Sequence, residues 1–167
     1  MKLILFRHGT AIDREEAIQM KMEDSKRPLT EKGREKTEKM AKLLKSFEEN
    51  IDGIITSPLI RAQQTAEILT KNLKIEKIQE SAELVPSAPP QAFAQWLKTH
   101  AGNSTCLIAV GHEPQLSVFA SWALGGQAET FIDLKKSGML ALEFASFDEI
   151  TPKSAELLWL LQPRLLG

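Results

Sequence analysis

The sequence predicts an α/β fold in which a mostly parallel central sheet carries helices on both faces, in a single domain spanning residues 1–167. Three observations lead there. The runs Lys2 to Phe6, Ile51 to Thr56 and Thr105 to Val110 are short and largely apolar, the pattern of strands covered on both sides. The stretches between them carry apolar residues at helical spacing, and strands that alternate with helices imply parallel crossovers. At 167 residues the chain is long enough to bury one sizeable core, and no repeat, low-complexity segment or linker divides it.

Taken in order, Lys2 to Phe6 forms the first strand and Arg7-His8-Gly9 follows it. Asp13 to Asp24 is charged and reads as a solvated excursion holding a short helix. Pro28 and Thr30 open the next helix, with Thr30 as N-cap and Thr37, Met40, Leu43, Leu44 and Phe47 inward. Ile51 to Thr56 is the second strand. Ser57-Pro58 then reads as a helix start, with serine at the N-cap and proline at the first helical position, ahead of inward Ala62, Thr65, Ala66, Leu69 and Leu73. A third strand is expected over Ile75 to Ile78, and a Pro/Ser/Ala loop over Val85 to Pro90. Gln91 to His100 and Glu113 to Leu124 are helical, separated by the Thr105 to Val110 strand, and Gly125-Gly126 stops the second of them. Met139 to Phe147 and Ala155 to Leu161 read as an antiparallel pair joined by a turn over Asp148 to Lys153.

Composition narrows the class of function. The chain is 43% hydrophobic and 26% charged with a formal net charge of -1, an ordinary globular balance that gives no general attraction to nucleic acid or to an anionic membrane. The single cysteine, Cys106, lies in an apolar run and reads as a core thiol. No apolar stretch reaches membrane-spanning length, and the N-terminal run is too short for a signal peptide, so a cytoplasmic location is expected. Trp96, Trp122 and Trp159 read as core, His100 as a helix-end residue, and Gly125-Gly126 lacks the spacing of a nucleotide loop.

Parallel sheets bind ligands at the carboxyl ends of their strands. His8 follows the first strand, Arg61 lies in the opening turn of the helix after the second, and His112 follows the Thr105 to Val110 strand. Arg7, His8, Arg61 and His112 are therefore expected at one sheet edge, as an electropositive pocket beside a helix N-terminus. A phosphoryl dianion suits such a pocket. One imidazole can attack phosphorus while the arginines and the other imidazole neutralise the equatorial oxygens. Gly9 leaves room beside His8, which makes His8 the nucleophile and His112 a donor to phosphate. Arginines take the part a metal plays elsewhere, so no metal or other cofactor is expected. Thr10 either donates to phosphate or shapes the turn, and Ser57 is a helix cap with a possible second use as a phosphate ligand.

Four segments carry a family resemblance: Arg7-His8-Gly9-Thr10, Arg27-Pro28-Leu29-Thr30-Glu31-Lys32-Gly33, the run from Ser57 to Ala66, and Val110-Gly111-His112-Glu113-Pro114. In this order they resemble the histidine phosphatase superfamily, also called phosphoglycerate mutase-like. The resemblance implies His8 as the phosphorylated nucleophile, Arg7 and Arg61 as phosphate ligands, and His112 as the other phosphate-contacting histidine. Short length and the Leu84-Val85-Pro86 stretch look most like the SixA-type phosphohistidine phosphatases of that superfamily. The only sizeable early insertion is Thr10 to Lys26, which leaves the pocket open to a phosphohistidine carried on a protein.

One position departs from the family pattern. Typical members supply a carboxylic acid two positions beyond a leucine that matches Leu84, and here Pro86 stands in that place. Glu83 is the nearby substitute acid, out of register by one alignment. A missing proton donor tilts the substrate toward phosphohistidine, because imidazole is a weaker base than an alkoxide and can leave already protonated. Two other readings stay open: a small-molecule phosphomonoesterase using Glu83 as acid, and a phosphate-binding module without turnover. The Asp13 to Asp24 stretch is either a solvated face or an element that repels small anions or helps select a partner protein.

Overall fold

A computed structural model describes residues 1–127 and 129–166. Six strands form one sheet in the order β3-β2-β4-β1-β5-β6. Strands β1 (Lys2–Arg7), β2 (Gly53–Thr56), β3 (Ile78–Glu80) and β4 (Cys106–Gly111) are parallel, whereas β5 (Met139–Phe144) and β6 (Ala155–Leu161) run antiparallel on the β1 side. The helices are α1 (Arg14–Gln19), α2 (Glu31–Lys45), α3 (Ile60–Leu73), α4 (Pro90–His100) and α5 (Gln115–Gly125). This is the expected α/β architecture.

Alternate residues of the strands feed two cores, one on each face of the sheet. Leu3, Leu5, Leu107 and Ala109 pack with Phe93, Leu97 and Phe119 from α4 and α5. Ile4, Phe6, Ile108 and Val110 pack with Met40, Leu44, Ala62 and Leu69 from α2 and α3. Covering both faces explains why the parallel strands read as continuous apolar runs. Cys106 belongs to the second core, and burial pushes its thiol up to about 11, as expected for an unreactive thiol. No helix among the described residues is long and apolar enough to cross a membrane.

Several boundaries differ from the sequence reading, each for a local reason. Helix α3 begins at Ile60 with Leu59 as N-cap, so Ser57 and Pro58 precede it. The Ser57 hydroxyl lies 2.8 Å from His112 Nε2 and accepts the Leu59 N–H at 3.3 Å, so it caps the turn that leads into the helix rather than the helix itself. Strand β2 begins at Gly53, and Asp52 before it is tied to β4 by its N–H, which donates to the Cys106 carbonyl at 2.9 Å, and by its carboxylate, which accepts the N–H groups of Thr105 and Cys106 at 2.6 and 3.0 Å. The third strand lies at Ile78–Glu80; Ile75 is buried in the α2/α3 core without joining the ladder. Strand β5 ends at Phe144, and Phe147 opens a short turn in which the Ser146 hydroxyl accepts the N–H of Asp148. Phe47 lies beyond the end of α2 and is 43% exposed, set edge-to-face on Trp159 rather than inward. Trp122 is buried, while Trp96 and Trp159 lie half-buried against the two cores.

Candidate active site

The ladder registers bring three strand ends level. Arg7 pairs with Gly111 and Thr56 with Val110, so the residues that follow, His8, Ser57 and His112, emerge together at one edge. The His8 main chain is held on both sides. Its N–H donates to the Gly111 carbonyl at 3.1 Å, and the Ser137 N–H donates to the Arg7 and His8 carbonyls at 3.1 and 3.2 Å. The next amide, Gly9 N–H, donates to Thr65 Oγ1 at 3.0 Å, and that hydroxyl donates to the Arg61 carbonyl at 2.7 Å. The strand carrying His8 and the helix carrying Arg61 are thus tied by one threonine.

The reason for Gly9 differs from the sequence reading. A β-carbon there would stand 2.6 Å from Thr37 Oγ1 and 3.1 Å from the Gly33 carbonyl, so the space beside Gly9 is filled by α2 and offers no approach to an anion. Gly33 answers it from the helix side, where a β-carbon would stand 2.1 Å from the Thr10 carbonyl oxygen. That carbonyl accepts hydrogen bonds from the Thr30 N–H and hydroxyl at 2.9 and 3.2 Å. Two glycines let the loop after β1 lie directly on the first turn of α2.

A cavity of about 360 Å³ opens at this edge, and its walls include Arg7, His8, Thr10, Arg61, Pro86, His112 and Glu113. The rings of His8 and His112 lie 4.8 Å apart between centroids, tilted by 53°. His8 Nδ1–H donates to the Gly9 carbonyl at 2.7 Å; since a carbonyl only accepts, the proton sits on Nδ1 and the Nε2 lone pair is free. Burial, then Arg61, Arg7 and Lys136, outweigh the Gly9 carbonyl and bring the His8 imidazole down to about 3. Burial, then His8 and the arginines, bring His112 down to about 2. Both rings are therefore neutral near pH 7, as a nitrogen nucleophile must be.

The arginines are held but not saturated. Arg7 donates to the Leu134 carbonyl at 2.7 Å, and Arg61 to the Asp24 carbonyl at 2.9 Å and its carboxylate at 3.2 Å. Arg7 Nε, Arg61 Nε and His112 Nδ1 are buried without a hydrogen-bond partner among the described residues. Buried donors without partners are costly, and here they lie beside a cavity that an oxyanion would fill. Such an arrangement can bind a tetrahedral anion and present a free imidazole nitrogen to it.

All four principal residues of the sequence reading, Arg7, His8, Arg61 and His112, line this cavity, and so does Thr10. Ser57 reaches the site through His112 Nε2. Glu83 is not among the lining residues. Ala82–Leu84 form one tight turn in which the Ser81 hydroxyl accepts the Glu83 N–H at 3.2 Å, the Leu84 side chain is fully buried, and Pro86 reaches the cavity instead.

Two carboxyls line the cavity, Asp13 and Glu113, and Glu113 directly follows His112. Burial raises Glu113 above the ordinary glutamate value, against the pull of Ser117 and Arg7. The sequence reading placed it in a helix, but α5 begins at Gln115 and leaves Glu113 in the turn; its place next to His112 was the available signal. Arg14, Arg27 and Lys136 also line the cavity. Asp24, expected on a solvated face, turns inward to Arg61 and to Arg27 Nε at 3.0 Å.

The profile of the Histidine phosphatase superfamily (branch 1) matches residues 3–85. The chain is 36% identical over 167 residues to an uncharacterised protein of Picosynechococcus sp., spanning 99% of both chains. It is 32% identical over 121 residues to the phosphohistidine phosphatase SixA of Escherichia coli, covering 68% of each. Among solved structures, the protein histidine phosphatase SixA complexed with tungstate superimposes with a TM-score of 0.84 at 23% identity, each chain covered in full. A sequence relative at that identity and coverage, on the same fold, means that the chain belongs to the histidine phosphatase superfamily.

Proposed function

We propose that this protein hydrolyses phosphohistidine carried on another protein, through a covalent phosphoryl intermediate on His8. The observation that carries the reading is the pairing of a free His8 Nε2 with Arg7, Arg61 and His112 around one cavity. In this scheme Nε2 attacks phosphorus in line and the bond from phosphorus to the departing imidazole breaks. That imidazole leaves neutral, keeping the proton already on its other ring nitrogen while the bonding pair returns to the nitrogen that held phosphorus. Arg7, Arg61 and His112 hold the equatorial oxygens, where charge builds in the transition state. Water then attacks the phosphoryl group on His8, releasing inorganic phosphate and regenerating the free imidazole.

Support for a protein-borne substrate comes from the rim. Pro86, which has no proton to donate, lines the cavity, and an imidazole leaving group requires no donor. Ile18 lines a hollow that shares Arg14 and Arg27 with the cavity and is 72% exposed, apolar surface that a protein partner can cover. The SixA relative of Escherichia coli is by name a phosphohistidine phosphatase, in keeping with this reading.

Glu113 gives specific support to a second reading, in which it protonates the alkoxide of a small phosphomonoester. A substrate panel on the wild type, His8→Ala, Glu113→Gln and Glu83→Gln separates the two. His8→Ala is expected to abolish both turnover and an acid-labile phosphoenzyme, and turnover that survives it refutes the mechanism. Phosphohistidine peptide hydrolysis is expected to survive Glu113→Gln. Faster turnover of sugar phosphates than of the peptide, lost in Glu113→Gln, would establish the second reading. Glu83→Gln is expected to change neither.

A further inference from the structure

A second cavity, of about 400 Å³, adjoins the first and shares Arg7, Thr10 and Lys136 with it. Its other walls are Lys36 from α2, Lys135 from the loop before β5, and Gln162, Pro163 and Arg164 after β6. Five of these eight residues are cations and none is an acid, in a chain whose formal net charge is -1. Such a concentration is local and not a reflection of composition.

The sequence far from the phosphate-binding motifs supplies this groove. The turn after β6 packs against α2, which sets Arg164 and Lys36 on the same groove as Lys135 and Lys136. Gln162 fixes the floor: its side-chain oxygen accepts the Lys135 N–H at 3.0 Å, and its amide donates to the Asp133 carbonyl at 2.7 Å. Asp133 pairs with the Lys135 amine and answers one of the five charges from outside the groove. No carboxylate among the described residues forms an ion pair with Lys36, Lys136 or Arg164. The charges also feel each other, because partial burial, then Arg7 and Arg27, press the Lys136 amine below the ordinary lysine value.

We infer that this groove is a subsite for an acidic segment of the protein substrate, in which Asp or Glu side chains next to the phosphorylated residue meet Lys36, Lys135, Lys136 and Arg164. The inference rests on the proposed action on a protein. At about 400 Å³ the groove is similar in size to the phosphate cavity, which leaves room for side chains flanking a phosphorylated residue. Pro163 and the aliphatic stems of the lysines give apolar contact to the methylenes of such residues, while the charged heads take their carboxylates. Because the groove shares Arg7 and Lys136 with the phosphate cavity, acidic residues bound there place the phosphoryl group over His8.

The test uses charge reversal outside the phosphate cavity, with Lys36→Glu, Arg164→Glu and the pair together. Binding of a fluorescent, unphosphorylated peptide rich in Asp and Glu is measured beside a neutral peptide of equal length and beside inorganic diphosphate. The wild type is expected to bind the acidic peptide and not the neutral one, and more weakly as salt rises. The double variant is expected to lose about tenfold in affinity or more for the acidic peptide. It should keep the wild-type affinity for inorganic phosphate and the wild-type melting temperature.

Equal binding of acidic and neutral peptides, or an unchanged affinity in the double variant, overturns the subsite. Diphosphate binding that is lost in the double variant, without acidic peptide binding, also overturns it and assigns the groove to a small polyphosphate. These readouts do not depend on turnover, so failure of the phosphohistidine reading in the substrate panel is a separate result. With phosphohistidine peptides the subsite adds one expectation: acidic flanking residues lower KM at unchanged kcat in the wild type, and in the double variant they no longer lower KM.

Discussion

The imidazoles of His8 and His112 lie 4.8 Å apart between ring centres, both buried and both beside Arg61 and Arg7. Protonating either ring places a third or fourth positive charge in a space with little water, so the folded protein keeps both neutral far below the pH at which a free histidine ionises.

That relationship fixes how stability depends on pH. The unfolded chain takes up protons on these histidines near pH 6.5, whereas the folded chain does so only near pH 3 for His8 and near pH 2 for His112. Between those limits the unfolded state binds more protons, so the stability present above pH 6.5 falls as pH falls through this window. Moving from pH 7.5 to pH 5 is expected to cost about 1–2 kcal/mol for each ring. Urea denaturation at the two pH values checks it, and His8→Gln should remove about half of the difference. A pH-independent midpoint in the wild type would contradict the neutral pair.

Saturating inorganic phosphate should reverse part of this loss. The anion brings negative charge to both rings and to the unpartnered nitrogens Arg7 Nε, Arg61 Nε and His112 Nδ1. Ligand that binds only the folded state adds about 2.7 kcal/mol of stability by mass action at a hundredfold excess over Kd, which raises the melting temperature. The rise should vanish when Arg61 is replaced by alanine.

The contact between Gly33 and Thr10 leaves no room for a methyl group. At 2.1 Å from a carbonyl oxygen, the β-carbon of Gly33→Ala must displace the loop that carries His8, Gly9 and Thr10. A loss of about 1–3 kcal/mol in stability is expected, together with a fall in kcat, since His8 moves with the loop. The control is Gly102→Ala, which meets nothing within 4 Å. It lies at φ +56, so its cost is local backbone strain alone, with kcat unchanged.

Asp24 holds Arg61, a phosphate ligand in the proposed mechanism. Partial burial works to raise its carboxyl, but Arg61 and Arg27 prevail and hold it below the ordinary aspartate value. Asp24→Asn removes the negative charge while the Asp24 carbonyl can still hold Arg61 at 2.9 Å. The half-exposed pair is screened by solvent, so inorganic phosphate is expected to inhibit about two- to fivefold more tightly in the variant. Weaker inhibition would show that the carboxylate instead orients Arg61.

How much of this was legible in sequence follows from the range of the interactions. His8 and His112 could be read because each directly follows a short apolar strand, and Arg61 because it opens the helix that follows another. Glu113 was hidden by two residues of helix boundary, a distance over which apolar periodicity has no resolving power. Asp24 and Lys136 reach the site from loops, through contacts with no sequence period. Gly9 was identified for the wrong reason, since only the packing of α2 reveals Thr37 beside it. Ile75 shows the same limit in the core: its apolar character was read correctly, its strand was not.

The position of β1 has a kinetic consequence. Flanked by β4 and β5, with Leu3, Ile4, Leu5 and Phe6 fully buried, the strand that leads into His8 has no free edge from which to fray. Its amide protons should exchange with deuterium only through opening of the entire fold, at rates set by global unfolding, while those of the α1 excursion exchange far sooner. Substrate entry can therefore reshape the rim around His8 without loosening the seat on which that imidazole stands.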